Sequence, residues 1–328
     1  MSTKKRIAAL DSIQYFFFMI FVRLIRACSL DSAYAISRFA GTLFYLVDFR
    51  HRNRAIRHIL HSGIRTTRKE AKILARANMI HMVKVFVEII KFQQIVTPEN
   101  ISEYISVADN PTARKYFSKE GSSQMILTTG HIGNWELAGG AYTCFTGQKM
   151  TSIMRPLGNE KIGEFFYKMR SSFQHKTSSK KNGLRPLFLA HANGETITIV
   201  SDQHASHKEG VEVTFFGHPA RAHATPALFH LKTGTPIFVA CLVRVGDRFH
   251  FQFDCSEPFV YNPPEGEDKE TSIRNICQKY TDNLEAAIRK YPDQWLWAHR
   301  RWLDIERGHD DEFRDGKRIA PPHGREEK

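Results

Sequence analysis

Cysteine is scarce in this sequence of 328 residues. Five cysteines are scattered along the chain without a C-x-x-C pair, and their number is odd. Both features argue against a disulfide framework and against a zinc knuckle. The cysteine content therefore indicates reduced thiols, as in a cytosolic compartment.

The sequence also lacks, near its N-terminus, an apolar run long enough to cross a membrane. The uncharged run from Ile13 to Val22 is interrupted at Arg23 and Arg26, at about half of the roughly 20 residues that a spanning helix needs. No small-residue cleavage site follows, which disfavours a signal peptide. We therefore expect the chain to stay on the cytoplasmic side of a membrane.

Acidic side chains are outnumbered by basic ones, 34 against 47, which gives a formal net charge of +13. Such an excess calls for an acidic partner: nucleic acid, anionic lipid or a phosphorylated substrate. The sequence carries no recognised RNA- or DNA-binding signature. The charge alone does not choose among these partners, but the missing signature argues against nucleic acid.

The basic excess is concentrated in residues 1–60, which hold ten basic side chains against three acidic ones. The same residues are strongly apolar, as in IQYFFFMIFVRLIRACSL. An interfacial helix inserts its apolar face into lipid while its arginines meet lipid phosphates, and this composition suits that geometry. The pattern predicts contact with a membrane surface, with a helix packed against the rest of the protein as the alternative.

Residues 1–110 have helical patterns throughout. Thr67 to Glu70 form a capping box that opens a helix running toward Phe92. The predicted apolar side of this helix consists of Ile73, Leu74, Ala77, Ile80 and Met82. Residues 1–110 are thus expected to form a basic, apolar helical region that associates with a membrane.

Residues 111–303 show short apolar runs that alternate with helical stretches. The runs are QMILTT, KMTSIM, TITIVS, VEVTFF, PIFVACLV and RFHFQF. This alternation predicts an α/β catalytic core with a central, largely parallel sheet flanked by helices. Residues 304–328 lack apolar content and are predicted to be a disordered tail.

The stretch TTGHIGNWELAGG joins one of these strands to a helix. Met125 to Thr129 form the predicted strand, and Asn134 is a candidate N-cap. His131 then lies in the turn and Glu136 in the first turn of the helix, so the loop can fold the imidazole onto the carboxylate. A pair without its own nucleophile suits a base that deprotonates a substrate hydroxyl, as in acyl transfer. The alternative is a turn histidine bonded to backbone.

Five ordered blocks, HIGNWE, MRPLGNEKIGEFFYKMR, VSDQHASHKEGVEVTFFGHPAR, TPALFHLKTGTPIFVACLVR and YPDQWLWAHRRW, closely resemble the late acyltransferases of lipid A biosynthesis. These form the lauroyl- and myristoyltransferase branch of the bacterial lysophospholipid acyltransferase superfamily. The resemblance runs to about Trp302. It implies an enzyme at the cytoplasmic face of the bacterial inner membrane. It further implies transfer of an acyl chain from acyl carrier protein, or from acyl-CoA, to a hydroxyl of an anionic lipid A precursor.

The resemblance assigns roles to individual residues. His131 is the expected catalytic base and Glu136 its catalytic partner. The candidate substrate-binding residues are Arg155, Asn134 and Arg170. The candidate supporting residues are Asp202 and Gln203. Arg155 can hold a phosphate or an oxyanion, with an ion pair to Asp202 as the alternative, and Arg170 can instead be a solvated helix charge.

No cofactor is expected beyond the acyl thioester co-substrate. Loop histidines are favoured over metal ligands, since zinc-site spacing is lacking among His204, His207, His218, His223 and His230. Cys144 is expected to pack in a helix and not to act as a nucleophile. Trp295 and Trp297 fit either a membrane-interface belt or, preferably, the core.

Two other functions fit parts of the sequence. Acyltransferases that act on glycerol phosphate or on other glycolipids share the H-x4-D/E motif, so the motif leaves the acceptor open. A non-enzymatic basic protein that binds membrane or nucleic acid would explain the charge without an active site. The basic excess lies with apolar helices and not with interleaved aromatics, which favours the enzyme.

Overall fold

Parallel strands joined by helices build the centre of the molecule, as the alternating pattern predicts. The computed structural model describes residues 3–154, 157–171, 175–179 and 184–302. The strands are β1 (Ile105–Val107), β2 (Ile126–Thr129), β3 (Met150–Met154), β4 (His175–Ser179), β5 (Thr196–Val200), β6 (Gly210–Phe215), β7 (His218–His223), β8 (Ile237–Arg244) and β9 (Phe251–Cys255). The helices before the core are α1 (Thr3–Ala27), α2 (Leu30–Val47), α3 (Phe49–His61), α4 (Arg68–Ile95) and α5 (Ile101–Tyr104).

The later helices cover the sheet. They are α6 (Pro111–Tyr116), α7 (Trp135–Thr146), α8 (Glu160–Ser171), α9 (Arg185–Ala192), α10 (Thr225–Thr233) and α11 (Lys269–Lys290), followed by a 3-10 turn (Pro292–Gln294). The described strands form a seven-stranded sheet in the order β1-β9-β8-β2-β5-β3-β4. Every pairing is parallel except β8 with β9. The predicted α/β fold class is confirmed.

Four strands differ from the sequence expectations. β1 lies within residues 1–110, which were expected to be helical throughout, and the polar β7 had no apolar run. VEVTFF was expected in the main sheet, but as β6 it pairs antiparallel with β7 in a separate hairpin. The polar segment HKTSS gives no apolar signal, yet it forms β4 at the edge of the sheet. An edge strand has one neighbour and tolerates polar side chains, so apolar patterning alone cannot find it.

Helix α4 begins at the predicted capping box. The Thr67 hydroxyl accepts from the Glu70 backbone N–H, and the Glu70 carboxylate accepts from the backbone N–H of Thr67. The predicted apolar side is partly wrong, because the side chain of Ile73 is 63% exposed while Leu74 is buried. The buried side also carries polar residues that contact the active-site turn, which apolar periodicity does not reveal.

Two apolar clusters lie in the fold. One contains residues of α3, α9, α10, α11 and the β6–β7 hairpin, and the other contains residues of α2, α4, α7 and α8. Trp295 and Trp297 belong to the first cluster and are 1% and 0% exposed. The prediction that these tryptophans lie in the core is therefore confirmed, and the alternative, a membrane-interface belt, is not. Among the residues described, no helix is both long and apolar enough to cross a membrane.

The turn between β2 and α7 is fastened to its neighbours through backbone. Gly133 has φ 61°, and its N–H donates to the Gln294 carbonyl at 3.0 Å. The Asn134 N–H donates to the Leu242 carbonyl at 2.7 Å. A methyl group at Gly133 would clash with that same Leu242 carbonyl oxygen. Glycine is required here both for its conformation and for this close approach.

Substitution at Gly133 should cost more than substitution at Gly147. Gly147 also has positive φ, but a Cβ there would meet nothing within 4 Å. Gly147→Ala should lower the free energy of unfolding by about 1–2 kcal/mol from backbone strain alone. Gly133→Ala should cost about 3 kcal/mol or more, since the turn must also move away from β8. Denaturant unfolding of both variants tests this, and equal losses would contradict the close approach.

Candidate active site

The candidate site lies where two adjacent parallel strands end. His131 follows β2 and Asp202 follows β5, and these strands pair in parallel from Ile126 with Ile197 onward. In open α/β sheets, ligands bind at the carboxyl ends of the strands. The topology thus brings together two residues that are 71 positions apart in sequence.

The Asp202 carboxylate holds the histidine at two points. One oxygen accepts from His131 Nδ1–H at 2.8 Å, and the other accepts from the backbone N–H of His131 at 2.7 Å. The second oxygen also accepts from the indole N–H of Trp295 at 2.9 Å. A Cβ at Gly130 would lie 3.0 Å from the Asp202 Cβ, so the small residue allows this approach.

These contacts set the charge state of both groups. Burial by itself raises the pKa of Asp202, but the charge and hydrogen bonds of His131 and the bond from Trp295 outweigh it and hold that pKa well below its usual range. Burial lowers the pKa of His131, whereas Asp202 and then Glu136 raise it, with a net upward shift. An ionised Asp202 fixes the proton on Nδ1. Nε2 of His131 therefore carries the lone pair of a general base.

Other side chains surround the imidazole. Trp135 meets it edge-on with ring centroids 5.1 Å apart, and His299 stacks on it at 5.7 Å. The amide nitrogen of Gln203 lies 3.2 Å from His131 Nε2. Sequence reasoning missed His299, which lies in the WLWAHRRW block but reaches the site only because the chain after α11 returns beneath the β2–α7 turn.

Glu136 is paired with Arg170 and not with His131. Arg170 Nε donates to a Glu136 carboxylate oxygen at 3.0 Å, and a second guanidinium nitrogen donates to the same oxygen. Within the described residues no hydrogen bond joins His131 to Glu136. The structure thus differs from the expected dyad, because the turn runs extended through Ile132 while Glu136, in the first turn of α7, meets α8. The Arg170 side chain is only 10% exposed, so it is not a solvated helix charge.

The remaining candidate residues fall in different places. Asn134 caps α7 as predicted, accepting from the Leu137 N–H at 3.2 Å. Its side chain is buried and donates to Glu88, which differs from the expected contact with substrate. Gln203 lies beside His131, and Arg155 lies outside the described residues.

A cavity of about 1520 Å³ opens at His131. Glu136 and Arg170 line it with the imidazole, and it extends along the sheet between apolar side chains such as Leu127 and Ile199. Leu127 and Ile199 belong to the two different apolar clusters, so the cavity reaches both faces of the sheet. The space combines a base, a charged pair and long apolar walls.

Two further expectations concern metal ions and Cys144. The ranges that the structure describes contain no group of three or more His, Cys, Asp or Glu side chains arranged to hold a metal ion. Cys144 is half-buried on α7, and burial raises the pKa of its thiol. A thiol with a raised pKa is a poor nucleophile, which fits the packing role expected of it.

Known proteins resemble this chain in sequence. It is 26% identical over 182 residues to a phosphatidylinositol mannoside acyltransferase of Mycolicibacterium smegmatis, which covers 54% of this chain and 56% of that protein. A protein of the same name from Mycobacterium tuberculosis is 25% identical over 182 residues, covering 54% of each chain. The chain thus spans about half the length of these curated relatives.

A solved structure and a family model complete the comparison. The structure is the 1-acyl-sn-glycerophosphate acyltransferase PlsC from Thermotoga maritima, at 13% identity and a TM-score of 0.34, covering 80% of this chain and 96% of that one. The family model, described as bacterial lipid A biosynthesis acyltransferase, matches residues 1–304. Because that match spans nearly the whole sequence, the chain belongs to the bacterial lipid A biosynthesis acyltransferase family.

Proposed function

We propose that the protein transfers a fatty acyl chain from a thioester donor to a hydroxyl of an anionic glycolipid at a membrane surface. The observation that carries this proposal is the base at the cavity mouth. His131 lines a cavity with long apolar walls, and an ionised carboxylate holds its Nδ1–H. Family membership supports the same reaction class.

The proposed reaction needs one base and no covalent intermediate. His131 Nε2 takes the proton of the acceptor hydroxyl as its oxygen attacks the thioester carbonyl. The tetrahedral intermediate then collapses, the C–S bond breaks, and the imidazolium returns the proton to the departing thiolate. Asp202 stabilises the imidazolium while that charge exists, as the carboxylate does in a catalytic triad. The products are an ester and a free thiol, so atoms and charges balance.

The Glu136–Arg170 pair has a different proposed role. It lines the same cavity as His131 and leaves charged groups facing the substrate. Guanidinium groups bind phosphates and hydroxyl-rich headgroups through directed hydrogen bonds. We assign this pair to fixing the acceptor headgroup or the polar part of the donor.

The donor and acceptor are proposed from the family resemblance. An acyl carrier protein thioester, or acyl-CoA, supplies the chain, and a lipid A precursor receives it. The curated relatives are named for phosphatidylinositol mannoside, which keeps a mannosylated glycolipid as the second candidate acceptor. Both are anionic lipids with sugar hydroxyls, and both suit a chain with a net charge of +13.

The proposed location is the cytoplasmic face of the inner membrane. Helix α1 exposes apolar side chains such as Phe16 and Phe17, at 60% and 64%, and α2 exposes Phe39 at 73%. Arg23 and Arg38 are exposed on the same helices. Helices of this kind lie in the lipid headgroup layer with their apolar side chains inserted. The acceptor can then reach the site without leaving the bilayer.

The reaction itself is tested by product analysis. Purified protein should be incubated with a radiolabelled acyl carrier protein thioester and either Kdo-bearing lipid A precursor or phosphatidylinositol mannoside in vesicles. Mass spectrometry should show one added acyl ester with one of the two acceptors, and His131→Ala should lose on the order of 10²–10⁴ in rate. Absence of an acylated product with either acceptor, or equal product from His131→Ala, would overturn the proposal.

Substitutions of the two carboxylates, Asp202 and Glu136, should have different effects on kcat and KM. Asp202→Asn removes the charge that stabilises the imidazolium, so kcat should fall by about 10²–10⁴-fold. Glu136→Gln leaves the His131–Asp202 contact in place, so its loss of kcat should be smaller, with a larger share of the effect in KM. Steady-state kinetics of both variants checks this, and a greater loss of kcat in Glu136→Gln would restore the dyad expected from sequence.

The pH dependence should report the His131–Asp202 contact. The base works only when neutral, and the pKa of His131 is raised above the ordinary 6.5. The value of kcat/KM should therefore fall as pH drops through a pKa above 6.5. Asp202→Asn keeps the burial but loses the attraction, so the residual activity should show this limb at lower pH. If kcat/KM falls at the same pH in both proteins, Asp202 is not the group that raises the pKa of His131.

Membrane binding should depend on the exposed phenylalanines. Phe17→Asp and Phe39→Asp place a charge where an apolar ring would insert, so vesicle flotation should show reduced binding to anionic vesicles. Val260→Asp is the matched control, because Val260 is also 50% exposed but follows β9, far along the chain from α1 and α2. Unchanged binding of both phenylalanine variants would argue against these helices as the docking surface.

A further inference from the structure

We infer that Glu88, on α4, is a positioning residue for the active site and acts through Asn134 at the base of the His131 turn. This inference rests on the proposed acyl transfer, in which His131 is the base. It gives the N-terminal helical region a part in the reaction that membrane association does not include.

The Glu88 carboxylate is fully buried and has several donors. Its side chain is 0% exposed. One oxygen accepts from the Tyr34 hydroxyl at 3.0 Å and from Arg244 Nε, and the other accepts from the Asn134 amide at 2.9 Å. These donors come from α2, from β8 and from the turn, so one carboxylate joins three parts of the fold. A buried charge is tolerated only when it is satisfied in this way.

The same network reaches the neighbouring residue of the turn. An Arg244 guanidinium nitrogen lies 2.7 Å from His81 Nδ1. A guanidinium can only donate, so His81 Nδ1 accepts and its proton is on Nε2. That Nε2–H donates to the Gly133 carbonyl at 3.2 Å. Burial and then the Arg244 charge lower the pKa of His81, which agrees with a neutral ring.

The network therefore ends on two consecutive residues of the turn, Gly133 and Asn134. His131 lies two positions before Gly133, and its ring contacts Trp135 directly after Asn134. Asp202 holds the imidazole, while from α4 Glu88 holds the Asn134 side chain and His81 holds the Gly133 carbonyl. A displacement of about 1 Å in a catalytic group can cost on the order of 10² in rate. The buried network thus fixes the geometry on which the base depends.

A substitution at Asn134 can separate positioning from helix capping. Removal of Glu88 would leave Arg244 buried without its partner and would destabilise the whole fold. Asn134→Ser instead keeps a side-chain oxygen for the N-cap of α7 and removes only the amide that donates to Glu88. We expect kcat to fall about 10- to 100-fold with little change in KM. The protein should stay folded, with a melting temperature lowered by a few degrees through the lost buried hydrogen bond.

The chain offers a control at Asn110, another N-cap asparagine, which is partly buried. Asn110 caps α6, accepting from the Ala113 N–H at 2.6 Å, and its amide lies 3.5 Å from an Asp254 carboxylate oxygen. Asn110→Ser therefore removes the same kind of amide–carboxylate contact away from the site, and its kcat should stay unchanged. Equal loss of kcat in the two serine variants, or none in Asn134→Ser, would overturn the inference.

An exchange of roles gives a rescue test. Asn134→Asp places a second carboxylate against Glu88 and should lose activity through repulsion. Combining it with Glu88→Gln restores one amide and one carboxylate in that contact, with donor and acceptor exchanged. The double variant should recover activity relative to Asn134→Asp. No recovery in a folded double variant would count against a specific Glu88–Asn134 contact.

A readout that needs no substrate separates this inference from the proposed function. NMR titration of ring-labelled histidine, with His131 assigned by its absence in His131→Ala, follows the imidazole directly. Asn134→Ser should loosen the His131–Asp202 contact and lower the pKa of His131, while Asn110→Ser should leave it unchanged. An unchanged His131 titration in Asn134→Ser would overturn the inference even if acyl transfer is confirmed. An altered titration would support it even if the acceptors tested give no product.

Discussion

The Asp202 carboxylate is the group on which the candidate site depends. It accepts three hydrogen bonds, from the backbone and ring of His131 and from the indole of Trp295. Asp202 is only 3% exposed, so these donors are needed to offset its loss of hydration. The three bonds connect the end of β2, the end of β5 and the segment after α11. A single buried charge thus sets the tautomer of the base and fixes the place where three chain segments meet.

A second buried carboxylate, on the N-terminal helix α4, acts on the same turn. Glu88 holds Asn134, and through Arg244 it orders His81 against Gly133. Buried polar networks of this kind are stabilising when every member is satisfied and costly when one member is missing. Between them, Asp202 and Glu88 leave the turn little freedom, which is the condition for a base that must act on a proton at hydrogen-bond distance.

The N-terminal helices both contact the active-site turn, through α4, and expose apolar side chains, on α1 and α2. Its buried side carries His81 and Glu88 toward the active-site turn, while α1 and α2, which pack against α4, expose phenylalanines to solvent. In the proposed function those phenylalanines meet the membrane. The same helical layer would then connect the bilayer surface, where the acceptor resides, with the turn that holds the base. The cavity at His131 is lined by residues of the α/β core, from Leu127 onward.

The sequence by itself determined most of the elements and the position of the base, because those depend on local physics. The capping box opened α4 at Thr67, the apolar runs marked most strands, and Asn134 as an N-cap placed His131 in a turn before a helix. Features that depend only on neighbouring residues could be predicted, such as a helix cap or a buried strand with a short apolar run. The polar edge strand β4 had no such signal, and the β6 pattern could not tell a hairpin from the main sheet.

Only the tertiary structure decided which groups meet. Glu136 lies five positions from His131, yet Arg170 on α8 binds it, while Asp202 reaches the imidazole from 71 positions away. The reason is that parallel strands pair through crossovers, so β5 lies beside β2 although β3 and β4 come between them in the chain. Proximity in sequence therefore suggested the wrong hydrogen bond. Glu88 and His81 carried no motif, and His299 lay in a block that assigned it no role. The packing of α4 and of the segment after α11 brought these residues to the site.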